Sequence, residues 1–324
     1  MQHARQSHLL DQVRIEIRKR HYSYRTEKQY VGWIARFIEF HDGQSPAHLG
    51  HRGVEAFLSH LAINRNVAAA TQAQALAALL FLFKHVLRVN LPWIGNVTRA
   101  HRPKRLPVVL TRAEVRTLLG ALRGPYWMIA SLLYGSGLRL LEALRLRVKD
   151  LDLETRTLIV RDGKGMKDRR TVLPESLLDP LRIRLARLRT LHDAAVAAGF
   201  GGVELPHALQ RKYPRAHLDF GWQYVFPAAL PSRDRRTGAW RRHHLHEQSV
   251  QRAMREAVGR SGILKPASCH TLRHCFATHM LESGSDIRTV QELLGHASLS
   301  STQIYTQVDA AQLLDIYRHA HPRA

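Results

Sequence analysis

Six polar residues stand out by type and by what surrounds them. Arg139 follows a glycine turn in Gly137-Leu-Arg-Leu-Leu-Glu142 and heads a helix. Lys164 lies between two glycines at the tip of a hairpin, 25 residues later. His270 and Arg273 belong to His-Thr-Leu-Arg-His, and a spacing of three puts both on one helix face. His296 follows Leu293-Leu-Gly295, just past a helix end. Ser300 and Gln303 read as a capping box for a further helix, with Tyr305 in its early turns.

Two arginines, two histidines, one lysine and one tyrosine suit in-line attack on a phosphodiester. The transition state spreads negative charge over the equatorial oxygens, and two guanidinium forks assisted by imidazole donors can hold them. A phenol with a pKa of about 10 is a poor nucleophile, but a cationic pocket favours its ionised form. A lysine can protonate the departing oxygen. The product is a phosphotyrosine, which conserves the bond energy, so that strands can be rejoined without ATP. Duller readings fit less well. His270, His274 and His279 could share a metal ion, but Arg273 intervenes and no carboxylate ligand lies near. No acidic cluster suits a two-metal nuclease. Lys164 is not in a Walker loop, because the Gly-x4-Gly-Lys-Ser/Thr order is missing. Glu142 reads as structural, orienting a basic neighbour; Tyr134 and Tyr317 read as packing. No cofactor and no metal are expected.

Composition names the partner. The chain of 324 residues carries 49 Lys plus Arg against 26 Asp plus Glu, a formal charge of +23. Forty of the basic residues are Arg, whose planar fork fits phosphate bidentately. Residues 1–100 are net +7 and residues 101–324 net +16, so both halves suit a polyanion, and nucleic acid leads. Apolar residues make up 45%, enough for a core and too many for whole-chain disorder. The longest apolar run, Ala75 to Phe83, is about half of the roughly 20 residues a membrane span needs. Met1 to Arg20 is polar, and Cys269 and Cys275 make no disulfide framework, so a reducing, cytoplasmic setting is expected.

The elements that must position these residues follow from periodicity. Residues 1–90 read as an all-α domain: one helix over His8 to Arg20, one from Ser23, one through Val54, Phe57, Leu58 and Leu61, and a buried one over Ala68 to Leu87. Residues 91–110 read as a linker, with Pro92, Pro103 and Pro107 among Arg99, Arg102, Lys104 and Arg105. Residues 111–324 read as a mixed domain. Thr111 and Glu114 open a helix ended by Gly124 and Pro125, and Tyr126 to Tyr134 is an apolar helix. Thr157 to Arg161 and Arg170 to Leu173 flank a turn as a hairpin. Leu178, Leu181, Leu185 and Leu188 mark a long helix with Arg182, Arg184, Arg187 and Arg189 outward, and Ala310 to Tyr317 reads as a last helix packed on a neighbour or on its own domain. The fold class is predominantly α with a small β-sheet.

Gly-Leu-Arg-x-x-Glu, Gly-Lys-Gly-x-Lys-x-Arg, His-x-Leu-Arg-His, and Leu-Leu-Gly-His with Tyr nine residues on together resemble the tyrosine site-specific recombinases. The order of four motifs carries the resemblance. It implies a helical core-binding (SAM-like) domain, then a catalytic domain, with Arg139, Lys164, His270, Arg273 and His296 around the nucleophile Tyr305. It also implies a DNA-bound tetramer. Residues 190–222, with Ala208-Leu-Gln-Arg-Lys-Tyr-Pro-Arg-Ala216 and Trp222-Gln-Tyr-Val-Phe-Pro227, resemble the extra segment of integron integrases, as does Asp234 to His246. Those enzymes insert and excise gene cassettes on folded single strands whose unpaired bases protrude. Trp222, Tyr213, His243 and His244 would then offer rings, and Arg211, Lys212 and Arg241 would meet phosphates; His243 and His244 read equally as surface loop residues. The alternatives are a Xer-type or phage-type recombinase on duplex sites, a topoisomerase-like nicking enzyme, and a catalytically silent DNA-binding protein.

Tyr305→Phe keeps the ring and loses the hydroxyl that would form the phosphoester. It is expected to bind DNA normally and to form no protein–DNA adduct with a nicked substrate on a denaturing gel. A normal adduct yield would remove Tyr305 as nucleophile.

Overall fold

The computed structural model describes residues 2–91, 98, 100, 107–161, 168–206, 209–234 and 238–295. Lys164, His296, Tyr305, the basic cluster of the linker and the stretch 310–317 lie outside the described residues. The chain forms two compact units, Met1–Arg105 and Leu106–Ala324.

Helices are the only regular secondary structure among the described residues of the first unit. Helices α1 (Gln2–Lys19), α2 (Tyr24–Phe40), α3 (Pro46–Ile63) and α4 (Ala69–Phe81) follow in order, and a π-helical turn, Leu82–Leu87, extends α4. Ser23 caps α2, its hydroxyl accepting from Thr26 N at 3.1 Å. Val13, Ile17, Ile34, Phe37, Val54, Leu58, Leu79 and Phe83 build the core. The run Ala69–Leu87 is long and apolar enough to cross a membrane by length and composition, more so than its longest unbroken apolar stretch indicates. In this fold Ala75, Ala78, Leu79, Leu82 and Phe83 are buried among the other helices. Arg18 meets buried Glu27 with two hydrogen bonds, of 2.9 and 2.7 Å, tying α1 to α2. Gln72 ties down the chain after the helices: Nε2 donates to the carbonyls of Leu58 at 3.0 Å and Thr98 at 2.8 Å, and Oε1 accepts from Ala100 N at 2.9 Å.

The second unit packs helices around a three-stranded antiparallel sheet in the order β1 (Leu151–Asp152), β2 (Thr157–Val160), β3 (Arg169–Val172). Its helices are α5 (Arg112–Gly120), α6 (Gly124–Gly135), α7 (Leu140–Arg145), α8 (Leu178–Ala197), the short α9 (Leu209–Lys212), α10 (Glu247–Ser261), α11 (Cys269–Glu282) and α12 (Ile287–Leu294). A small ribbon pairs β4 (Ser232–Arg233) with β5 (Trp240–Arg241). Thr111 and Glu114 form the expected capping box. Gly124 and Pro125 do not end α5, which stops at Gly120; they start α6, where proline in the first turn costs no hydrogen bond. Arg184 does not face outward with its neighbours. Its Nε donates to Val225 O at 2.6 Å and its guanidinium lies 4.9 Å from the Phe226 ring, so α8 packs there through an arginine.

Helix α11 is the axis of this unit. Cys269, Thr271, Leu272, Arg273, Cys275, Phe276, Ala277, Thr278 and His279 are all buried. His279 is a lock rather than a metal ligand. A carbonyl can only accept, so Nε2 donates to Leu110 O at 3.0 Å, which leaves Nδ1 to accept from the Tyr134 hydroxyl at 2.9 Å. Burial lowers its pKa and keeps the ring neutral. Cys275 Sγ accepts from Leu110 N at 3.2 Å, so the segment leading into α5 is fastened to α11 on both backbone groups.

Gln72→Leu should cost about 1–3 kcal/mol in the stability of the first unit, because three backbone groups lose their partner while volume is kept. Denaturant unfolding of the full chain would show it as an earlier first transition. A superimposable curve would contradict the strap.

Candidate active site

Gly137 sits at φ +64°, and a Cβ there would fall 2.6 Å from Phe276 Cδ1, so the backbone can approach α11 only as glycine. This turn brings Arg139 to the N-cap of α7. Glu142, three residues on, accepts from Arg139 N at 2.8 Å through Oε2 and from Arg139 Nη1 at 2.7 Å through Oε1. The same carboxylate takes two hydrogen bonds from Arg169 on β3, Nη1 to Oε1 at 3.1 Å and Nη2 to Oε2 at 2.7 Å. Arg273 Nη1 lies 3.6 Å from Oε2. One carboxylate thus gathers three arginines from α7, β3 and α11.

The side chains of Arg273 and Glu142 are 1% and 8% exposed. Burial alone would raise the Glu142 pKa, but the hydrogen bonds and charge of Arg169, then those of Arg139, hold it at about 2. Arg273 also donates to the carbonyl of Gly137 and, at 2.7 Å, to that of Leu294 at the end of α12. Gly295, left-handed at φ +62°, ends α12 immediately before His296. His270, in the first turn of α11, is exposed and lines an open cleft with Arg139, Leu140, Gln251, Arg255 and Ser268. Its pKa is lowered by desolvation and by Arg273 and Arg139, and His274, 4.2 Å away ring to ring, is pushed down to about 4 chiefly by burial. Both rings are therefore neutral at pH 7.

Of the six expected catalytic residues, Arg139 and His270 line one cleft, and Arg273 is buried and joined to Arg139 through Glu142. Lys164, His296 and Tyr305 lie outside the described residues. No group of three or more metal-ligating side chains occurs among the described residues. Two residues at the centre were not singled out as functional from the sequence. Glu142 reads there as structural, and Arg169 only closes a motif; that one carboxylate bridges all three arginines is visible only in the fold.

The other seven candidates belong to a lobe built on Val203, Leu205 and Tyr224. Arg211 and Lys212 are exposed on α9, and Tyr213 beside them is 51% exposed, with Lys212 Nζ 5.4 Å from its ring centre. Arg241 donates to Gln210 Oε1 at 3.1 Å. Trp222 is partly buried, and Lys149 Nζ sits 2.9 Å over its ring, so this face is taken. His243 stacks on Tyr224 at 5.6 Å and lies 3.5 Å from Glu204. His244 is half-buried, edge-on to Tyr224 at 5.4 Å, and burial pushes its pKa down to about 4. Tyr213 and His243 are the accessible rings; Trp222 and His244 are largely committed to the lobe itself.

The Glu142 cluster makes a signed prediction. Its pKa of about 2 lies below the ordinary 4.5, so its contribution is present above pH 4.5 and is lost as the pH falls towards 2. The shift corresponds to roughly 3 kcal/mol, in line with the cost of removing one partner from a buried charge pair. Glu142→Gln should lower stability by roughly that much at pH 7, and the gap to wild type should close between pH 4.5 and 2. Equal denaturation midpoints at pH 7 would refute the clamp.

Residues 108–312 match the phage integrase family, and residues 9–93 match the N-terminal SAM-like domain of phage integrases. An integrase/recombinase of Escherichia coli is 53% identical over 300 residues, covering 93% of this chain and 89% of that protein. A tyrosine recombinase XerC of Mesorhizobium japonicum is 35% identical over 345 residues, covering 100% and 96%. Among solved structures, the Tn1549 transposon integrase in complex with transposon right end DNA has a TM-score of 0.61 at 15% identity, covering 96% and 98% of the two chains. The XerH site-specific recombinase bound to palindromic difH substrate has a TM-score of 0.60 at 20% identity, covering 91% and 80%; these two likenesses are of fold. With the family match spanning residues 108–312 and the XerC relative aligned over the whole of it, the chain belongs to the phage integrase family of tyrosine site-specific recombinases, enzymes that cleave and rejoin DNA strands.

Proposed function

We propose that this recombinase works through a 3′-phosphotyrosyl intermediate on Tyr305, with Arg139 and Arg273 as the clamp on the transferring phosphate. The supporting observation is that Arg139, more than 130 residues before His270 and Arg273 in sequence, lines one cleft with His270, while Glu142 links it to the buried Arg273. Phosphate is held by Arg139 at the mouth, with the buried charge of Arg273 behind it. A neutral His270 keeps a lone pair able to take the phenolic proton. Lys164 protonates the leaving 5′ oxygen, and His296 donates to a non-bridging oxygen. We assign the domains as 1–90, a linker 91–110 and 111–324, and the working form as a tetramer holding two DNA sites.

The finer reading is integration and excision of gene cassettes on folded single-stranded sites. It is supported by the lobe of residues 190–222, where exposed Tyr213 stands beside Lys212 and Arg211, and by His243. Stacking an unpaired base on a ring is worth about 1–3 kcal/mol, and an already extrahelical base avoids the cost of unpairing. The second reading, recombination on duplex sites, is favoured by the XerC relative, whose alignment takes in the whole of this chain.

One comparison tests both levels. Arg139→Lys should cut single-turnover strand cleavage on the order of 100-fold while binding persists, because the bidentate fork is lost. Near-native cleavage would remove the clamp. Wild type should bind a folded cassette-type hairpin more tightly than the same sequence as duplex, and Tyr213→Ala with His243→Ala should weaken the hairpin complex selectively. Equal losses on both forms, or no hairpin preference in the wild type, would decide for the duplex reading.

A further inference from the structure

His270 stands in the first turn of α11 and lines the open cleft with Arg139. Among the described residues no hydrogen bond holds its imidazole, and the one ring that touches it is His274, one helical turn on. The ring centres lie 4.2 Å apart with the planes at 75°, an edge-to-face pair. The helix itself dictates this contact. Side chains on a helix lean towards its N-terminus, so a residue covers the turn before its own Cα, and residues four apart meet. The His274 ring therefore fills the space on the C-terminal side of His270 and leaves the cleft as the open side. His274 is not a spare base. It is half-buried, it does not line the cleft, and burial first, then His270 and Arg273, keep it neutral down to about 4.

We propose that His274 is a positioning residue for the proton transfer at His270: its ring braces the His270 imidazole on the cleft side, beside Arg139, so that the base is already aimed when the scissile phosphate is bound. The inference rests on the reading of His270 as the base given above. In that step the phenol gives its proton to His270 as its oxygen bonds to phosphorus and the P–O5′ bond breaks. The departing oxygen takes a proton from the acid proposed above. An edge-to-face pair of rings is worth a factor of about 2–10 in population, which an unbraced imidazole would lose. His274 makes and breaks no bond, so losing its ring lowers the rate of cleavage and leaves the affinity for DNA alone.

The test uses the full chain and a nicked substrate that traps the protein–DNA adduct, under single-turnover conditions at neutral pH. His274→Phe keeps a ring and His274→Leu does not. Any hydrogen bond of His274 is lost in both, so the difference between them reports the ring. His274→Leu should form the adduct about 3–10-fold more slowly than wild type with unchanged DNA affinity, and His274→Phe should stay within about twofold of wild type. In a His270→Ala background, which has no imidazole to brace, His274→Leu should cost nothing further, because residues that act as a unit are not additive. A full rate in His274→Leu, equal losses in the two variants, or a loss that adds to that of His270→Ala would overturn the brace. If His274→Leu melts before assay temperature, His274→Met, also without a ring, takes its place with the same expectation. His270→Ala alone tests the base. Cleavage at the wild-type rate would strike that assignment, whereas a slow His270→Ala beside a normal His274→Leu strikes the brace and leaves the base in place.

Discussion

The second unit depends on a single buried carboxylate. Without Glu142, Arg139, Arg169 and Arg273 would place three positive charges in a region where water is largely excluded, and mutual repulsion would drive them apart. With it, each arginine has an acceptor, and the elements that carry them, α7, β3 and α11, are joined at one point. The net charge of the cluster stays positive. The cluster therefore holds its shape by itself, which is the pre-arrangement that the phosphate clamp proposed above requires.

The glycines beside the cluster have a narrow purpose. Gly137 lets the Arg139 turn press against Phe276, and Gly295 ends α12 where the Arg169 stem passes. Both carry positive φ, and at both a side chain would enter space already filled. The carbonyls of Gly137 and Leu294, left over at the ends of elements, are where Arg273 places its donors. Cap, turn and ion cluster are one construction.

The lobe of residues 200–246 follows a different logic. Tyr224 stacks with His243 and meets Arg147 at 4.6 Å, while Lys149 covers Trp222. Several rings that look available in sequence are used to hold irregular backbone together, because this lobe has little regular structure to satisfy it. Tyr213 and His243 keep exposed surface, which is why the recognition of an unpaired base is proposed for them.

The local geometry around Arg139, His270 and Arg273 was legible in the sequence. The spacing of Arg139 to Glu142 and of His270 to Arg273 reports helical geometry, a local property that neighbouring residues decide. The four helices of the first unit, the β2–β3 hairpin, the capping box at Thr111 and the helix start at Ser23 follow from local pattern for the same reason. The boundary of α5 with α6 was misplaced, because Gly-Pro ends one helix as readily as it begins the next. What tertiary structure alone decided is who faces whom. Arg184 carries the same charge as Arg182 and Arg187, yet only it lies against Phe226. His279 repeats the helical spacing of a metal ligand, yet Tyr134 and Leu110 claim its two nitrogens. Glu142 and Arg169 lie 27 residues apart, and nothing in either motif states that they pair. Sequence determines local geometry and chemical type, whereas long-range pairing depends on which buried charges must be neutralised once the chain has closed around them.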